Sequence, residues 1–415
     1  MRRLWRALWN RLLPPPFRER IRRFTENHRS TSILIGMAIV AALWIVLPRI
    51  PPLSLLQSAT PWYDAFANAG TFMLLAMGLN VVVGLAGLLD LGYAAFFAIG
   101  AYTYAFSNSP FSGQDLPFIP MLFVGAVVAA VFGIALGAPT LRLRGDYLAI
   151  MTLGFGEIVP IVFVNSDPYT KGTNGISGIF RPEPLPILGE FTPLSSFNYM
   201  IVMLVIVTIA MMLLYRLHDS RMGRAWMAIR EDELAASANG INTIVTKLLA
   251  FAIGATTSGL AGVFNASKLT IVSPDQFLFT VSFTVLAMVI IGGMGNIWAA
   301  AAGAFIVYIL QVVLLRQLPV ITEGLRNLGF PVIQLGPIEF DIAQIRFVDY
   351  QYLLFGLALV LMMLKRPEGL FPSRTRRAEL LADADEPEDD PTMTGAVGAA
   401  PGGAAETLDP MTGAR

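Results

Sequence analysis

The sequence predicts an all-α fold, a polytopic membrane helix bundle of about ten transmembrane helices with both termini in the cytoplasm. Three observations predict it. Of the 415 residues, 55% are hydrophobic and only 14% are charged, whereas soluble domains carry about 25% charged residues. Ten apolar segments approach the ~20 residues that a bilayer-crossing helix needs. The lysines and arginines collect in alternate connecting segments.

The candidate spans are separated by polar connections or by connections that contain glycine and proline. In chain order they are 31–47, 65–87, 91–106, 118–139, 147–164, 198–215, 248–266, 277–294, 297–315 and 350–364. The first, third and last are short, so they extend past these limits, tilt, or enter the bilayer without crossing it. An even number of crossings places both termini on the same side.

The basic residues indicate which side that is. With the N-terminus inside, the inside segments hold 22 lysines and arginines, of which nine lie before residue 31 and five lie in 216–247. The outside segments hold seven. Because cytoplasmic loops carry the excess of positive charge, this ratio favours cytoplasmic termini and an even number of spans.

The segments outside the spans divide the chain into three parts. Residues 1–30 form a basic cytoplasmic segment. The apolar stretch after it is expected to be an uncleaved helix rather than a signal peptide, because no small-residue cleavage site follows. Residues 31–372 form the transmembrane domain. Residues 373–415 hold nine acids against four arginines and are rich in Gly, Ala, Pro and Thr, which predicts a disordered acidic tail.

Several kinds of chemistry lack their residues. The chain has no cysteine and only two histidines, His28 and His218, which argues against a disulfide, a zinc site or a Ser-His-Asp triad. No lysine is followed by serine or threonine, so there is no Walker A phosphate loop. No carboxylate cluster with metal-ligand spacing lies within or beside the spans. The sequence therefore predicts a protein without catalytic residues, metal or cofactor.

Small residues inside the spans allow two interpretations. They let neighbouring helices approach closely in lipid, or they mark a helix break that lines a translocation path. Asn80 is either an interhelical hydrogen-bonding residue or part of the same path. Asp90 is expected in a turn between two spans. The candidates for the path from these motifs are Asn80, Gly84, Gly87, Gly292, Gly293 and Gly295.

Glu157 is the notable charged residue inside a predicted span, three residues before Pro160. A carboxylate at this depth is costly and usually faces protein or water. It either lines the translocation path, where it accepts a substrate ammonium group, or makes a structural hydrogen bond to a neighbouring helix. Glu157 is therefore also a candidate for the path.

The connection 216–247 is charge-dense and forms a helix by its composition. Residues 221–241 lack proline and are rich in Arg, Ala, Met, Glu and Leu. Ser220 is a suitable N-cap, and Gly240 is a suitable stop. The segment is either a solvated amphipathic linker or a surface that docks onto another protein.

Ten sequence blocks, taken together and in order, resemble the permease subunits of branched-chain amino acid ABC importers of the LivM type. The resemblance covers roughly residues 65–372, and the most specific block is LRLRGDYLAI followed by TLGFGEIV. The blocks are 78–93, 95–102, 141–150, 152–159, 173–176, 223–225, 228–233, 240–241, 272–274 and 292–295.

The resemblance implies a set of partners: a homologous second permease, two cytoplasmic ATPase subunits, a periplasmic binding protein and the bacterial inner membrane. It also implies that 216–247 is a coupling segment that docks into an ATPase, and that the loop 165–197 is a docking surface for the binding protein. Glu233, Ala235, Ala236 and Gly240 match the general importer pattern of Glu, Ala and later Gly, but no Leu-Pro follows downstream, which leaves the docking register open. The implied coupling residues are Gly223, Arg224, Arg230, Glu231, Glu233, Ala235, Ala236 and Gly240.

Three functions remain open at the level of sequence. The first is a permease for leucine, isoleucine and valine that is driven by separate ATPases. The second is a urea or short-amide permease of the same class, because such sequences share many of these blocks. The third is a stand-alone secondary transporter or channel, which gives no reason for a coupling segment.

Overall fold

Helices form most of the chain for which a structure is described. The computed structural model describes residues 29–46, 49, 59–140, 146–186, 189–192, 195–314, 333–335, 338–340, 351–365 and 369–371. The predicted basic segment up to residue 28 and the predicted acidic tail lie outside these residues. So does the LRLRG part of the most specific sequence block.

The helices follow one another with short strands between some of them. They are α1 (Arg29–Val46), α2 (Ala59–Leu79) with a π-helical continuation (Asn80–Leu85), α3 (Ala94–Ser107), α4 (Phe118–Thr140), α5 (Asp146–Asn165), α6 (Asp167–Thr170), α7 (Ser196–His218), α8 (Arg221–Glu231), α9 (Glu233–Ala238), α10 (Thr243–Leu269), α11 (Phe279–Gly292), α12 (Ile297–Tyr308) with a π-helical continuation (Ile309–Leu314), and α13 (Gln351–Lys365).

Short strands and 3₁₀ turns complete the described chain. Strand β1 (Ile176–Ser177) follows a 3₁₀ turn at Gly172–Asn174. Strand β2 (Ile271–Val272) precedes a 3₁₀ turn at Pro274–Phe277. Strands β3 (Ile333–Leu335) and β4 (Ile338–Phe340) form an antiparallel hairpin.

A helix lies at each of the ten predicted spans. Among the described residues, six helical segments are long and apolar enough to cross a membrane by themselves, and three apolar helices are shorter. The protein is therefore a polytopic helical membrane protein, while the number of crossings and the side of the termini stay predictions. The six segments are Thr60–Leu85, Phe118–Thr140, Tyr147–Asn165, Ser196–His218, Thr243–Leu269 and Pro274–Gly292.

Helix α10 lies at the centre of the bundle, packed against α2, α3 and α4. Small residues make this possible. A methyl group added at Gly100 of α3 would collide with the Gly259 backbone of α10, and one at Gly133 of α4 would lie 2.7 Å from the Ala255 Cβ. Because lipid offers no hydrophobic drive for helix association, close backbone packing of this kind holds the bundle together.

Polar side chains add specific ties within this core. The buried Tyr93 hydroxyl donates to the Gly254 carbonyl at 2.9 Å and lies 3.2 Å from the Thr257 hydroxyl. The Ser282 hydroxyl of α11 accepts the Ala94 amide at the start of α3 at 2.8 Å. The start of the short helix α3 is therefore fixed at two places. Ala94 is bonded to α11, and the preceding residue, Tyr93, is bonded to α10.

The end of α10 that lies away from the coupling segment is tied to two other elements. Strand β2, just after α10, pairs antiparallel with β1 of the loop 165–197, in the register Ile176 to Val272. The buried Lys268 ammonium lies 2.8 Å from the Asp64 carboxylate and 2.5 Å from the Asn68 side-chain oxygen, both on α2. Two sequence blocks, 173–176 and 272–274, thus meet at one face.

Candidate functional site

The predicted coupling segment, 216–247, contains two helices, α8 and α9, joined at Asp232. The Ser220 hydroxyl accepts the amides of Met222 and Gly223 at 3.1 and 3.4 Å, so the predicted N-cap of α8 is present. Asp232 is extended, and its carboxylate accepts the amides of Leu234 and Ala235. The prediction of one helix over 221–241 is therefore wrong, because the Asp232 side chain replaces the helical ladder with a second N-cap.

The stop predicted at Gly240 is present. Gly240 has a φ of +82°, a conformation that favours glycine. Its amide bonds to the Ser237 carbonyl at 3.0 Å, and the Ile241 amide bonds to the Ala236 carbonyl at 3.1 Å. This pair of bonds is a Schellman motif, which satisfies the last carbonyls of α9.

The inner face of α8 is fixed to the membrane domain. Trp226 is fully buried, and its indole N–H donates to the Thr246 carbonyl of α10 at 2.7 Å. Gly223 is buried so closely against the end of α7 that a methyl group would collide with the His218 carbonyl. Ile229 is buried on the same face. These contacts hold α8 against the end of α7 and the start of α10.

Arg230 extends this inner face to the predicted translocation path. Its guanidinium donates to the Gly84 carbonyl at 2.7 Å. A methyl group at Gly87 would lie 2.8 Å from the Arg230 Cγ, and one at Gly295 would lie 3.5 Å from its Nη1. Together with Asn80, these residues form what we call the Arg230 junction: Asn80, Gly84, Gly87, Arg230 and Gly295.

The junction includes the π-helical segment Asn80–Leu85. The buried Asn80 side-chain oxygen accepts the Gly295 amide at 2.9 Å, which ties this segment to the turn between α11 and α12. That turn places Gly293 at φ +128° and Gly295 at φ +79°, conformations that side chains other than glycine rarely adopt. Three segments far apart in the sequence thus meet through two hydrogen bonds.

Gly292 differs from the other glycine candidates because it lies at a close contact between two helices. Gly292 and Gly303 pack α11 against α12 so closely that a methyl group on either would collide with the other helix. Leu370 and Phe371 donate their amides to the carbonyls of Ile291 and Gly292, which end α11. Helix packing accounts for Gly292, while its part in a path stays a prediction.

The other predicted coupling residues divide between two faces. Glu233 forms an ion pair with the buried Lys247 of α10, at 2.6 Å, and Ala236 is buried on the same side. Arg224, Glu231 and Ala235 are exposed on the outer face. One face of the segment thus packs against the helix bundle, and the other face is exposed.

Sequence analysis missed an apolar component of that outer face. Leu234 is 68% exposed on α9, and Ile244 and Val245 are exposed in the first turn of α10. The sequence did contain signals for these exposed groups: Leu234 is a single leucine in a polar helix, and Ile244 and Val245 are an apolar pair at the start of a helix. An exposed leucine in a polar helix outside the spans is typical of a protein–protein contact, whereas Ile244 and Val245 begin a segment long and apolar enough to cross the membrane.

Glu157 lies apart from the Arg230 junction, on an exposed stripe of α5. Ile150, Ile158 and Ile161 belong to the same stripe. Within the described part of the chain, no group donates a hydrogen bond to Glu157 and no cation pairs with it. One turn earlier, a methyl group at Gly154 would meet no described atom within 4 Å. The interpretation as a hydrogen bond within this chain therefore lacks a described partner.

Asp90 lies in the predicted turn, between the π-helical segment and α3, but is fully buried there. One carboxylate oxygen accepts the Gly92 amide at 2.9 Å, and the other has no partner among the described residues. Burial raises the pKa of Asp90 to about 7, although the Gly92 amide opposes the shift. A cavity of about 10 Å³ beside it, lined also by Thr140 and Thr152, is the size of one water.

Comparisons with known proteins identify the family of this chain. Residues 64–363 match the family described as the branched-chain amino acid transport system / permease component. The chain belongs to this family. No solved structure matches the permease.

Relatives of two kinds are similar to the permease. The high-affinity branched-chain amino acid transport system permease protein LivM of Escherichia coli K12 is 38% identical over 320 residues, which cover 72% of this chain and 68% of the relative. A probable LivM permease of Methanocaldococcus jannaschii is 25% identical, over 82% of this chain and 94% of its own. The LivH permease of Escherichia coli K12 is 26% identical, over 60% of this chain and 83% of its own.

Proposed function

We propose that this chain is the transmembrane permease subunit of an ABC importer that translocates leucine, isoleucine and valine into the cytoplasm. The similarity to LivM of Escherichia coli, at 38% identity over most of both chains, is the observation that carries the proposal. Its proposed location is the bacterial inner membrane, with ten crossings and both termini in the cytoplasm. The chain contributes a gated path and performs no reaction.

The proposed partners follow from the two kinds of relative and from the exposed faces. LivH relatives also match this chain, which supports a homologous second permease as the partner in the membrane. One of the two ATPase subunits docks on the outer face of the coupling segment, where Leu234 and Ala235 are exposed, and the other docks on the second permease. A periplasmic binding protein docks on the loop 165–197 at the opposite end.

The proposed mechanism is alternating access driven by the ATPases. Closure of the ATPase pair on ATP displaces α8 and α9, and the fixed inner face of α8 carries this displacement into the bundle. The Glu157 carboxylate, which no described group of this chain neutralises, faces the path and accepts the substrate ammonium group. The exposed Ile158 and Ile161 on the same stripe contact its branched side chain.

The test is leucine uptake into proteoliposomes that contain this chain, the second permease, the ATPases and the binding protein. We expect uptake that requires ATP and is inhibited by isoleucine and valine but not by urea. Inhibition by urea with no effect of valine would select the urea permease. Accumulation by this chain alone, without nucleotide, would establish a stand-alone transporter instead.

The role of Glu157 is tested in the same vesicles. Glu157→Gln should lower uptake at least tenfold, because the amide loses the charge that binds the ammonium group. Glu157→Asp should lower it less, and Asp115→Asn, which changes an exposed carboxylate outside the spans, should leave it unchanged. Equal uptake by wild type and Glu157→Gln would remove Glu157 from the path.

A further inference from the structure

The Arg230 junction connects a surface helix to the interior through a short chain of hydrogen bonds. Arg230, in the last turn of α8, donates to the Gly84 carbonyl at 2.7 Å. Asn80, at the start of the same π-helical segment, accepts the Gly295 amide at 2.9 Å. One hydrogen bond therefore joins the guanidinium to the π-helical segment, and a second hydrogen bond joins that segment to the turn between α11 and α12.

The surroundings of Arg230 are shaped to its side chain. Gly87 leaves room for the arginine stem, since a methyl group there would lie 2.8 Å from Cγ. Gly295 lies beside the guanidinium, where a methyl group would make an ordinary contact 3.5 Å from Nη1, so its φ of +79° is what requires glycine. Gly84 belongs to the last turn of its helix, where carbonyls have no later helical amide to accept from. The arginine supplies the missing donor.

The π-helical segment is a place where the helix can change its register. A π-helical turn holds one residue more than an α-helical turn, and such bulges are common at functional sites. Moving the bulge by one residue turns the residue that it passes by about 100° about the helix axis, while the helix beyond the bulge keeps its place. The Asn80 side-chain N–H₂ is buried without a described partner, so the present register leaves a buried donor unsatisfied, at a cost in free energy.

We propose that Arg230 is a positioning residue that holds Asn80–Leu85 in its π-helical register. Displacement of α8 withdraws the guanidinium from Gly84, the register shifts, and the Asn80 side chain moves the turn at Gly295 with it. The inference rests on the proposed function in one respect, because the ATPase subunits supply the displacement. A movement at the surface thereby reorients residues in the membrane interior.

The first arm of the test uses the purified chain alone, in nanodiscs. Hydrogen exchange of the peptide covering residues 80–88 is compared in wild type, Arg230→Gln and Arg224→Gln. Arg224 is the matched control, because it lies on the same helix and is exposed, and its guanidinium donates to the Asp219 carbonyl. We expect exchange at least tenfold faster in Arg230→Gln alone. Equal rates in all three proteins would overturn the proposal.

The second arm measures leucine taken up per ATP hydrolysed by the assembled importer. Arg230→Gln should keep assembly and ATP hydrolysis within about twofold and lower the ratio at least tenfold. Arg230→Lys, which keeps a donor on a long stem, should restore part of it. A ratio unchanged by Arg230→Gln overturns the proposal, as does parallel loss of assembly and hydrolysis. A wild-type importer that transports nothing rejects the proposed function and leaves the first arm to decide.

If Arg230→Gln fails to accumulate, single introduced cysteines test the proposal instead. Each can be labelled specifically because the natural chain has no cysteine. Val82 is buried, whereas Val83 is partly exposed in the same π-helical segment. In importers with Val82→Cys or Val83→Cys, ATP should change the ratio of their maleimide labelling rates at least threefold. Arg230→Lys should reduce that change. A ratio that does not respond to ATP in wild type would overturn the register shift.

Discussion

At the scale of single residues, Asp90 is a buried acid whose surroundings disfavour its charge. Its folded pKa of about 7 lies above the ordinary value of 3.8. The folded protein therefore holds this proton more tightly than the unfolded chain does. The contribution to stability is complete below about pH 4 and is lost as the pH rises through about 7.

Asp90→Asn should remove that pH dependence. Because the shift spans roughly three units, the affected free energy is on the order of a few kcal/mol. We expect the wild-type unfolding midpoint in detergent to rise between pH 8 and pH 5.5 by several degrees more than that of Asp90→Asn. Asp115→Asn, at an exposed carboxylate, should behave as wild type does. Parallel midpoints for wild type and Asp90→Asn would show that Asp90 titrates normally.

At the scale of elements, the sequence predicted where helices lie better than where they bend. Hydropathy placed a helix at each span because apolar length is a property of the segment alone. Ser220 and Gly240 acted as predicted because capping is also local. Asp232 was missed since its neighbours Glu231 and Glu233 are helix formers, and only its side-chain bonds show that it begins a new helix.

Local sequence patterns could not predict the π-helical segment or the inward direction of the Arg230 side chain. Arg230 and Gly84 are separated by 146 residues in the chain, and their contact depends on how the whole bundle packs. Sequence reasoning named Arg230 as a coupling residue and Gly84 as a path residue separately. Nothing in either motif indicated that the two sets touch.

Glycines in different elements should respond differently to the same substitution. Gly100→Ala in α3 forces a methyl group into the α10 backbone, so it should lower the unfolding midpoint and the yield of folded protein. Gly154→Ala in α5 meets open space and gains helix propensity, up to ~1 kcal/mol, so the isolated chain should be as stable or more so. Thermal unfolding in detergent measures both. Equal destabilisation would contradict the packing described for α10.

At the scale of the whole molecule, the bundle leaves an outer surface that no described residue of this chain covers. Leu234, Ile244 and Val245 are exposed at the coupling segment. Leu234→Asp should weaken association with the ATPase subunits at least tenfold, because it places a charge where an apolar contact is expected. Co-purification measures the effect, and Leu116→Asp, at a leucine that is 40% exposed elsewhere, is the control. Undiminished co-purification of Leu234→Asp would move the docking surface away from α9.

Helix α10 links the two ends of the protein as a single continuous rod. Its 27 residues extend about 40 Å, from the carbonyl that holds Trp226 to the strand that pairs with the loop 165–197. A tilt of this rod about its middle displaces both ends together, in opposite directions. In the proposed importer, the binding protein on one side of the membrane and the ATPase subunit on the other would thus act on opposite ends of the same helix.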